Sequence, residues 1–328
     1  MKKRQKKQLA FAGIVALLTA VILLSGLQLL RTAFPDASQE EGTVPTLTIT
    51  RDGKAYFPRL DITTILVLGI DQNGPVSSSG SYQNPGAADL ALLLVLDHAR
   101  GVCDVLQLNR DTMVTMPVLG LGGKPAGTTY GQLALSHTYG SGLEDSCENS
   151  RQTISDLLYG IRIDYYVAMN MDAIPIFNDA VGGVTVEVTE DFSEVDAGIP
   201  MGQVTLKGDQ AVSFVRSRRG VGDQLNLSRI DRQQAYARGF VDAYRAKRQG
   251  GTGFLLDAYR AAEPYLVTDC SFQAVSGMLE RYSDYELGRI VTPQGENVMG
   301  EEYFEFHLDM EALDSLILEL FYAEKTRS

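Results

Sequence analysis

The sequence predicts an α/β fold, a three-layer α/β/α domain preceded by one N-terminal transmembrane helix. Three observations predict it. Residues 62–70 (ITTILVLGI), 89–96 (DLALLLVL) and 102–108 (VCDVLQL) are near-continuous apolar runs, the pattern of strands covered on both faces. Segments with helical spacing alternate with further strands after them. An uncharged apolar stretch at 9–30 follows a basic start.

Residues 1–8 include Lys2, Lys3, Arg4, Lys6 and Lys7. The stretch that follows, 9–30, is long enough for a helix to cross about 30 Å of hydrocarbon. The basic excess before it makes residues 1–8 a cytoplasmic tail, with everything after the anchor extracytoplasmic at the cell membrane. Residues 31–60, with Pro35, Pro45, Pro58, Gly42 and Gly53, read as a stalk with a short hairpin. A folded domain is expected over 61–249 and a C-terminal extension packed on it over 250–328. Within the domain, 130–139 and 147–158 carry helical spacing, 165–169 reads as a strand, and 172–180 as a helix. Gly182 and Gly183 turn the chain into a strand at 184–188, and a helix runs from about 227 to 247.

The whole chain has 29 Lys+Arg against 41 Asp+Glu, a formal charge of −12. Six of the basic residues and none of the acids lie in residues 1–31, so the remainder carries −18 (29 less 6, against 41). Such an ectodomain excludes broad nucleic-acid binding. A P-loop is excluded because Pro125 follows Lys124 where Ser or Thr would hold magnesium, and no GxGxxG or GxSxG is present. His98, His137 and His307 are scattered and no CxxC or HExxH exists, which argues against zinc. His137, in a run expected to be helical and apolar, reads as a buried structural residue. Cys103 reads as a core residue, while Cys147 and Cys270 are candidates for a pair in an oxidising exterior.

Against this acidic background, 211–234 (AVSFVRSRRGVGDQLNLSRIDRQQ) stands out, with Arg216, Arg218, Arg219, Arg229 and Arg232 inside 17 residues. In an extended segment Arg216 and Arg218 project to one side. On a helix from Leu227 onward, Arg229, Arg232 and Gln233 share a face, and Ser228 or Asn226 is positioned to cap it. Guanidinium forks beside free helix-end amides make a site for phosphate oxygens. No matching acids share that face. The three apolar strands each bring an ionisable group to one end: Asp71, Asp89, and the Arg110–Asp111 pair. Sites of open α/β sheets are built at such strand ends.

Taken in order, the blocks LVLGID, AADLALLLVLD, LNRDTMV, IDYYVAMNMDAI with NDAVGGVTVEV, LKGDQAVSFVRSRRGVGD and SRIDRQQ give the chain a close likeness to a known family. It resembles the LytR-CpsA-Psr family of cell-envelope glycopolymer phosphotransferases from about Ile65 to Val241. The resemblance implies an α/β/α core with a central mixed sheet and an apolar tunnel for a polyprenyl tail. It implies transfer of a glycopolymer, such as a teichoic acid or capsule, from an undecaprenyl-pyrophosphate-linked donor to a sugar hydroxyl of peptidoglycan, with Mg²⁺. Carried over residue by residue, Asp71 and Asp89 are metal ligands. Arg110, Asp111, Arg216 and Arg218 are catalytic, and Arg110, Arg216, Arg218, Arg229, Arg232 and Gln233 bind the pyrophosphate. Asp111 or a metal-bound aspartate serves as base. Two positions depart from the family pattern: Asn73 stands where an arginine is common, and Gln132 near the place of a lysine. Two alternatives stay open at this stage, a polyprenyl-pyrophosphate hydrolase and a non-catalytic lipid-polymer binding or regulatory protein.

Overall fold

The structure is a computed structural model and describes residues 48–217, 219–221, 226–249, 253–270, 282, 285–301 and 303–324. The expected tail, the span at 9–30, most of the stalk, and Arg218 lie outside the described residues. Among those described, no helix is long and apolar enough to cross a membrane.

The first elements are β1 (Ile49–Arg51) and β2 (Lys54–Pro58). They form a hairpin through Asp52 and Gly53, both at positive φ, the turn geometry that matches strand twist. A meander follows: β3 (Ile62–Ile70), β4 (Ala88–Asp97) and β5 (Val102–Leu108). A second hairpin pairs β6 (Met113–Leu119) with β7 (Pro125–Gln132). Next come α1 (Glu144–Leu157), β8 (Tyr165–Asn170), α2 (Ala173–Ala180), β9 (Val184–Val188), β10 (Gly202–Leu206) and α3 (Asp209–Arg216). The long α4 (Asn226–Arg248) and α5 (Gly253–Ala262) lead to β11 (Leu266–Thr268) and β12 (Glu286–Val291). A third hairpin, β13 (Gly295–Met299) with β14 (Phe304–Leu308), precedes α6 (Met310–Phe321) and β15 (Tyr322–Glu324).

Six strands form the central sheet in the order β11-β8-β3-β4-β5-β12. β3 runs parallel to β8 and β5 to β12, while the other neighbours are antiparallel, so the sheet is mixed. Both edge strands come from residues after 250. Period-two alternation feeds two cores. Ile65 and Val67 of β3 pack toward Phe177, Phe214 and Phe240 of α2, α3 and α4. Leu66 and Leu68, on the other face, pack toward Ile154 of α1 and Leu313 and Ile317 of α6. Helices therefore cover both faces, which is why these strands read as unbroken apolar runs.

Three expectations are corrected. Residues 130–139 are not a helix: β7 pairs with β6 up to Gln132, and a 3-10 helix spans Leu133–Thr138. The partner strand decides here, since PAGTTYGQ is largely exposed and carries no apolar period of its own. Arg216 is not in an extended segment; it is the last residue of α3. All three cysteines are free, and Cys147 does not bond Cys270.

The sheet topology aims the site. β4 is antiparallel to both β3 and β5. The C-terminal ends of β3 and β5 and the N-terminal end of β4 consequently share one edge of the sheet. Asp71, Asp89 and Arg110–Asp111 meet there.

Candidate active site at the sheet edge

Between that edge and α4 lies a cleft of about 110 Å³. Leu90, Leu92, Met169, Ile174, Phe177 and Phe240 give it apolar walls, and Asp89, Arg216 and Arg229 supply its charge. Arg216 is well exposed, at 43%, so the charged end opens to solvent. One face of α4 lines the cleft: Arg229, Gln233, Tyr236, Ala237 and Phe240 follow helical spacing. Gly239 seats that helix on β9, since a Cβ there would stand 2.2 Å from the Thr185 carbonyl oxygen.

The charged end is a chain of ion pairs. Arg216 Nη2 approaches Asp71 Oδ1 at 2.6 Å. It does so off the hydrogen-bond line, leaving that buried oxygen opposite a charge with no aligned donor. Asp89 receives two guanidiniums: Arg110 on Oδ1, and Arg229 on Oδ2 at 2.8 Å. Arg110 Nε in turn donates to Asp111 Oδ1 at 3.2 Å. The same carboxylate oxygen accepts from Gln132 Nε2 at 3.0 Å, and the Asp111 amide donates to Asn109 Oδ1. Asp111 is thus held as the group that orients Arg110. Arg110, Arg216 and Arg229 each face an acid from a distant strand end, and Arg110 is held in addition by its neighbour Asp111.

Gln233 is fixed by amides. Its Nε2 donates to the Val215 carbonyl at 3.3 Å, and Gln107 Nε2 donates to its Oε1 at 3.2 Å. Gln107 also accepts from Gln234 at 3.1 Å. Gln107 went unrecognised in the sequence; its only signal is a polar residue inside the otherwise apolar end of β5.

Arg232 stands apart from the group expected to bind pyrophosphate. It falls roughly 100° round α4 from Gln233. Its guanidinium pairs with Glu190, donates to the Phe214 carbonyl at 3.1 Å and to the Ser217 carbonyl, and lies over the Phe192 ring. It clasps the C-terminal end of α3, the stretch that carries Arg216. Arg219 is exposed. His137 is buried, its Nδ1 set against the Gly86 carbonyl at 2.7 Å, and burial pushes its pKa below the ordinary value.

Known structures share this architecture. B. subtilis TagV superposes with a TM-score of 0.59 at 21% identity, covering 80% of this chain and 96% of that one. The structure of TagT bound to LI-WTA gives 0.58 at 20%, covering 80% and 90%. At such identities the likeness speaks to the fold. Among curated proteins, a polyisoprenyl-teichoic acid–peptidoglycan teichoic acid transferase TagU of Oceanobacillus iheyensis is 29% identical over 71% of this chain and 68% of its own length. The Bacillus subtilis protein of the same description is 24% identical over 82% and 80%. The LytR_cpsA_psr family matches residues 38–318, which takes in β3, β4, β5, α3 and α4 with the arginines and acids they bring together. This chain belongs to the LytR_cpsA_psr family.

Proposed function

We propose that this protein transfers a glycopolymer from a polyprenyl-pyrophosphate-linked donor to a hydroxyl of peptidoglycan. The observation that carries the reading is one apolar cleft lined at its solvent end by Arg216, Arg229 and Asp89, with Arg110 bound to the same aspartate. A prenyl chain fits the walls, and a diphosphate fits the guanidiniums at their rim. The activity by which the TagU relatives are named supports the same class. We take the donor lipid to be undecaprenyl pyrophosphate and the chain to act outside the membrane, held by the apolar span at 9–30.

In the reaction the acceptor oxygen bonds to the polymer-bearing phosphorus. The bond from that phosphorus to the bridging oxygen breaks, and polyprenyl phosphate leaves. Arg110, Arg216 and Arg229 stabilise the charge that develops on phosphoryl and leaving oxygens, and the family resemblance gives Arg218, which lies outside the described residues, the same role. Gln233 fixes one oxygen without adding charge. The acceptor's proton passes to a carboxylate of the rim. Asp71, at 36% side-chain exposure, is better placed to take it than Asp89 at 10% or Asp111 at 8%.

Magnesium belongs to this reading. The donor set fits it: Asp71 and Asp89 offer hard carboxylate oxygens from neighbouring strand ends, and the buried Asp71 Oδ1 lacks an aligned donor. No group of three His, Cys, Asp or Glu side chains forms a cage among the described residues, so phosphate and water would complete the shell. When bound there, the ion supplies charge neutralisation at the diphosphate.

The test is a transfer assay with a prenyl-pyrophosphate-linked glycopolymer and isolated peptidoglycan. Transfer is expected to stop in EDTA and to fall at least about a hundredfold in Arg216→Ala. Ala237→Phe, which fills the cleft, is expected to raise KM for a long-chain donor more than for a farnesyl one. Release of free polymer phosphate at the same rate with and without peptidoglycan would make the protein a hydrolase. Full turnover without Arg216 would remove the basis of the reading.

A further inference from the structure

The hairpin β13–β14 is wired onto the acid end of the site. The Phe306 amide donates to the Asp111 carbonyl at 2.8 Å, and Thr112 bridges to Phe306. Gln132 Nε2 donates both to Asp111 Oδ1 and, at 2.8 Å, to the Phe304 carbonyl. Phe304 and Phe306 lie two apart on β14 and share a face. Phe306 is buried at 5%, sealing the hairpin against the body, while Phe304 is half exposed at 50%. Met299 pairs directly with Phe304 and is 62% exposed, so the apolar face runs outward past the edge of the protein. Tyr130, 61% exposed, lies two residues before Gln132 on β7, on the side of that strand from which Gln132 reaches the hairpin.

We propose that this shelf, chiefly Tyr130 and Phe304, docks the acceptor glycan strand, with C–H faces of its pyranose rings stacked on the aromatic rings. The inference rests on the transferase reading above. Three observations select this occupant. The shelf is continuous with Asp111 and Arg110 through Gln132, so a strand lying on it delivers a hydroxyl to the edge of the sheet where the arginines sit. It lies on the β5–β6 side, while the cleft for the prenyl chain lies between β4 and α4; an in-line displacement needs acceptor and leaving group to approach from different sides. Its charge excludes the other surfaces at hand. Residues 295–308 contain four glutamates and no Lys or Arg. That composition repels an anionic bilayer and a polyanionic donor. It suits a neutral, hydroxyl-rich chain, whose hydroxyls donate to carboxylates and whose C–H groups meet the electron-rich ring face.

Binding of the full-length protein in detergent micelles is measured against three probes: a β-1,4-linked N-acetylglucosamine tetramer, sacculi stripped of attached polymer, and phosphatidylglycerol vesicles. Binding of a farnesyl pyrophosphate serves as the control for folding. Phe304→Ser and Tyr130→Ser are each expected to weaken tetramer and sacculus binding roughly tenfold, the upper end for one aromatic contact. Phe304→Trp is expected to bind at least as well as the parent, and Phe304→Leu to bind as poorly as Phe304→Ser. If Leu serves as well as Phe and the loss falls on vesicles instead, the shelf is a membrane face and the proposal is overturned. If wild-type protein transfers polymer to sacculi and every variant keeps its acceptor KM, the acceptor docks elsewhere while the transferase reading survives. If wild type binds the tetramer through the shelf yet transfers nothing, the glycan surface stands and the transferase reading falls.

Discussion

Asp89 is the hinge of the charge balance, and removing it is the sharpest test of how the site is built. Its carboxylate is 10% exposed and faces the guanidiniums of Arg110 and Arg229, themselves 15% and 3% exposed. Asp89→Ala removes the buried acid that both guanidiniums face and leaves Arg110 its pair with Asp111. Breaking a buried pair by deleting one partner costs about 3–5 kcal/mol, because the remaining charge is uncompensated. Arg229→Ala is milder: Asp89 keeps Arg110, no charge is stranded, and the loss is about 1–3 kcal/mol. In the double variant only Arg110 is left, and Asp111 still accepts from its Nε. The double variant should therefore be less destabilised than the sum, with a coupling of about 1–3 kcal/mol. Urea unfolding of the four proteins measures the cycle. Inorganic pyrophosphate provides a second reading, since it can replace the missing carboxylate. At a hundred times Kd a ligand that binds only the folded state adds about 2.7 kcal/mol. Asp89→Ala should reach that stabilisation at lower pyrophosphate than wild type does, although its turnover is lost. Effects additive within about 0.5 kcal/mol, or weaker pyrophosphate binding in Asp89→Ala, would refute the idea that this acid neutralises the arginines in the resting site.

Arg232→Lys keeps a positive charge opposite Glu190 but lacks the planar fork that spans the Phe214 and Ser217 carbonyls. Turnover is expected to drop roughly tenfold through the misplaced Arg216, less than the loss in Arg216→Ala, and donor binding should change less than kcat; a pure KM effect would show instead that Arg232 touches substrate. Stability should also fall below neutral pH through His137. Burial depresses its pKa, so the unfolded chain takes up a proton before the folded one. That contribution is complete above about pH 6.5 and is lost as pH falls below it. His137→Gln should flatten the decline of Tm between neutral and mildly acidic pH, and an unchanged slope would exclude His137 as its source.

How much of this was legible in the sequence follows from which forces are local. The bounds of β3, β5 and β9 could be read directly, because strands buried on both faces or alternating cleanly carry their environment in their composition. α4 was legible for its helical spacing and its length. β7 was not: Pro125 to Gln132 is mostly exposed, has no apolar alternation, and is a strand only because β6 lies beside it. The acids opposite the arginines were equally hidden. Asp71 and Arg216 are 145 positions apart, and Asp89 and Arg229 are 140 apart. Their meeting depends on β4 running against both neighbours, a topological fact that no short window contains. The division between Gln233 and Arg232 was missed for a finer reason. Neighbours on a helix differ by roughly 100°, and which of them faces the cleft depends on where Gly239 lets α4 settle on β9.

The hidden pairing changes what the basic cluster can select. A patch of unpaired arginines would take any phosphate, including the singly charged headgroups that crowd a membrane surface. Here Asp89 holds two guanidiniums in partly buried geometry, Asp71 faces a third, and Asp111 fixes the angle of Arg110. An incoming anion must offer those arginines more than the carboxylates already do. A single negative charge gains nothing by that exchange, since it replaces like with like and still has to be desolvated. A diphosphate brings more than one charge on adjacent groups and can satisfy several forks at once. The carboxylates it displaces become available for a cation and for the acceptor's proton. On this argument the acids are part of the selectivity, and Asp89→Ala should gain affinity for pyrophosphate for the same reason that it loses the reaction.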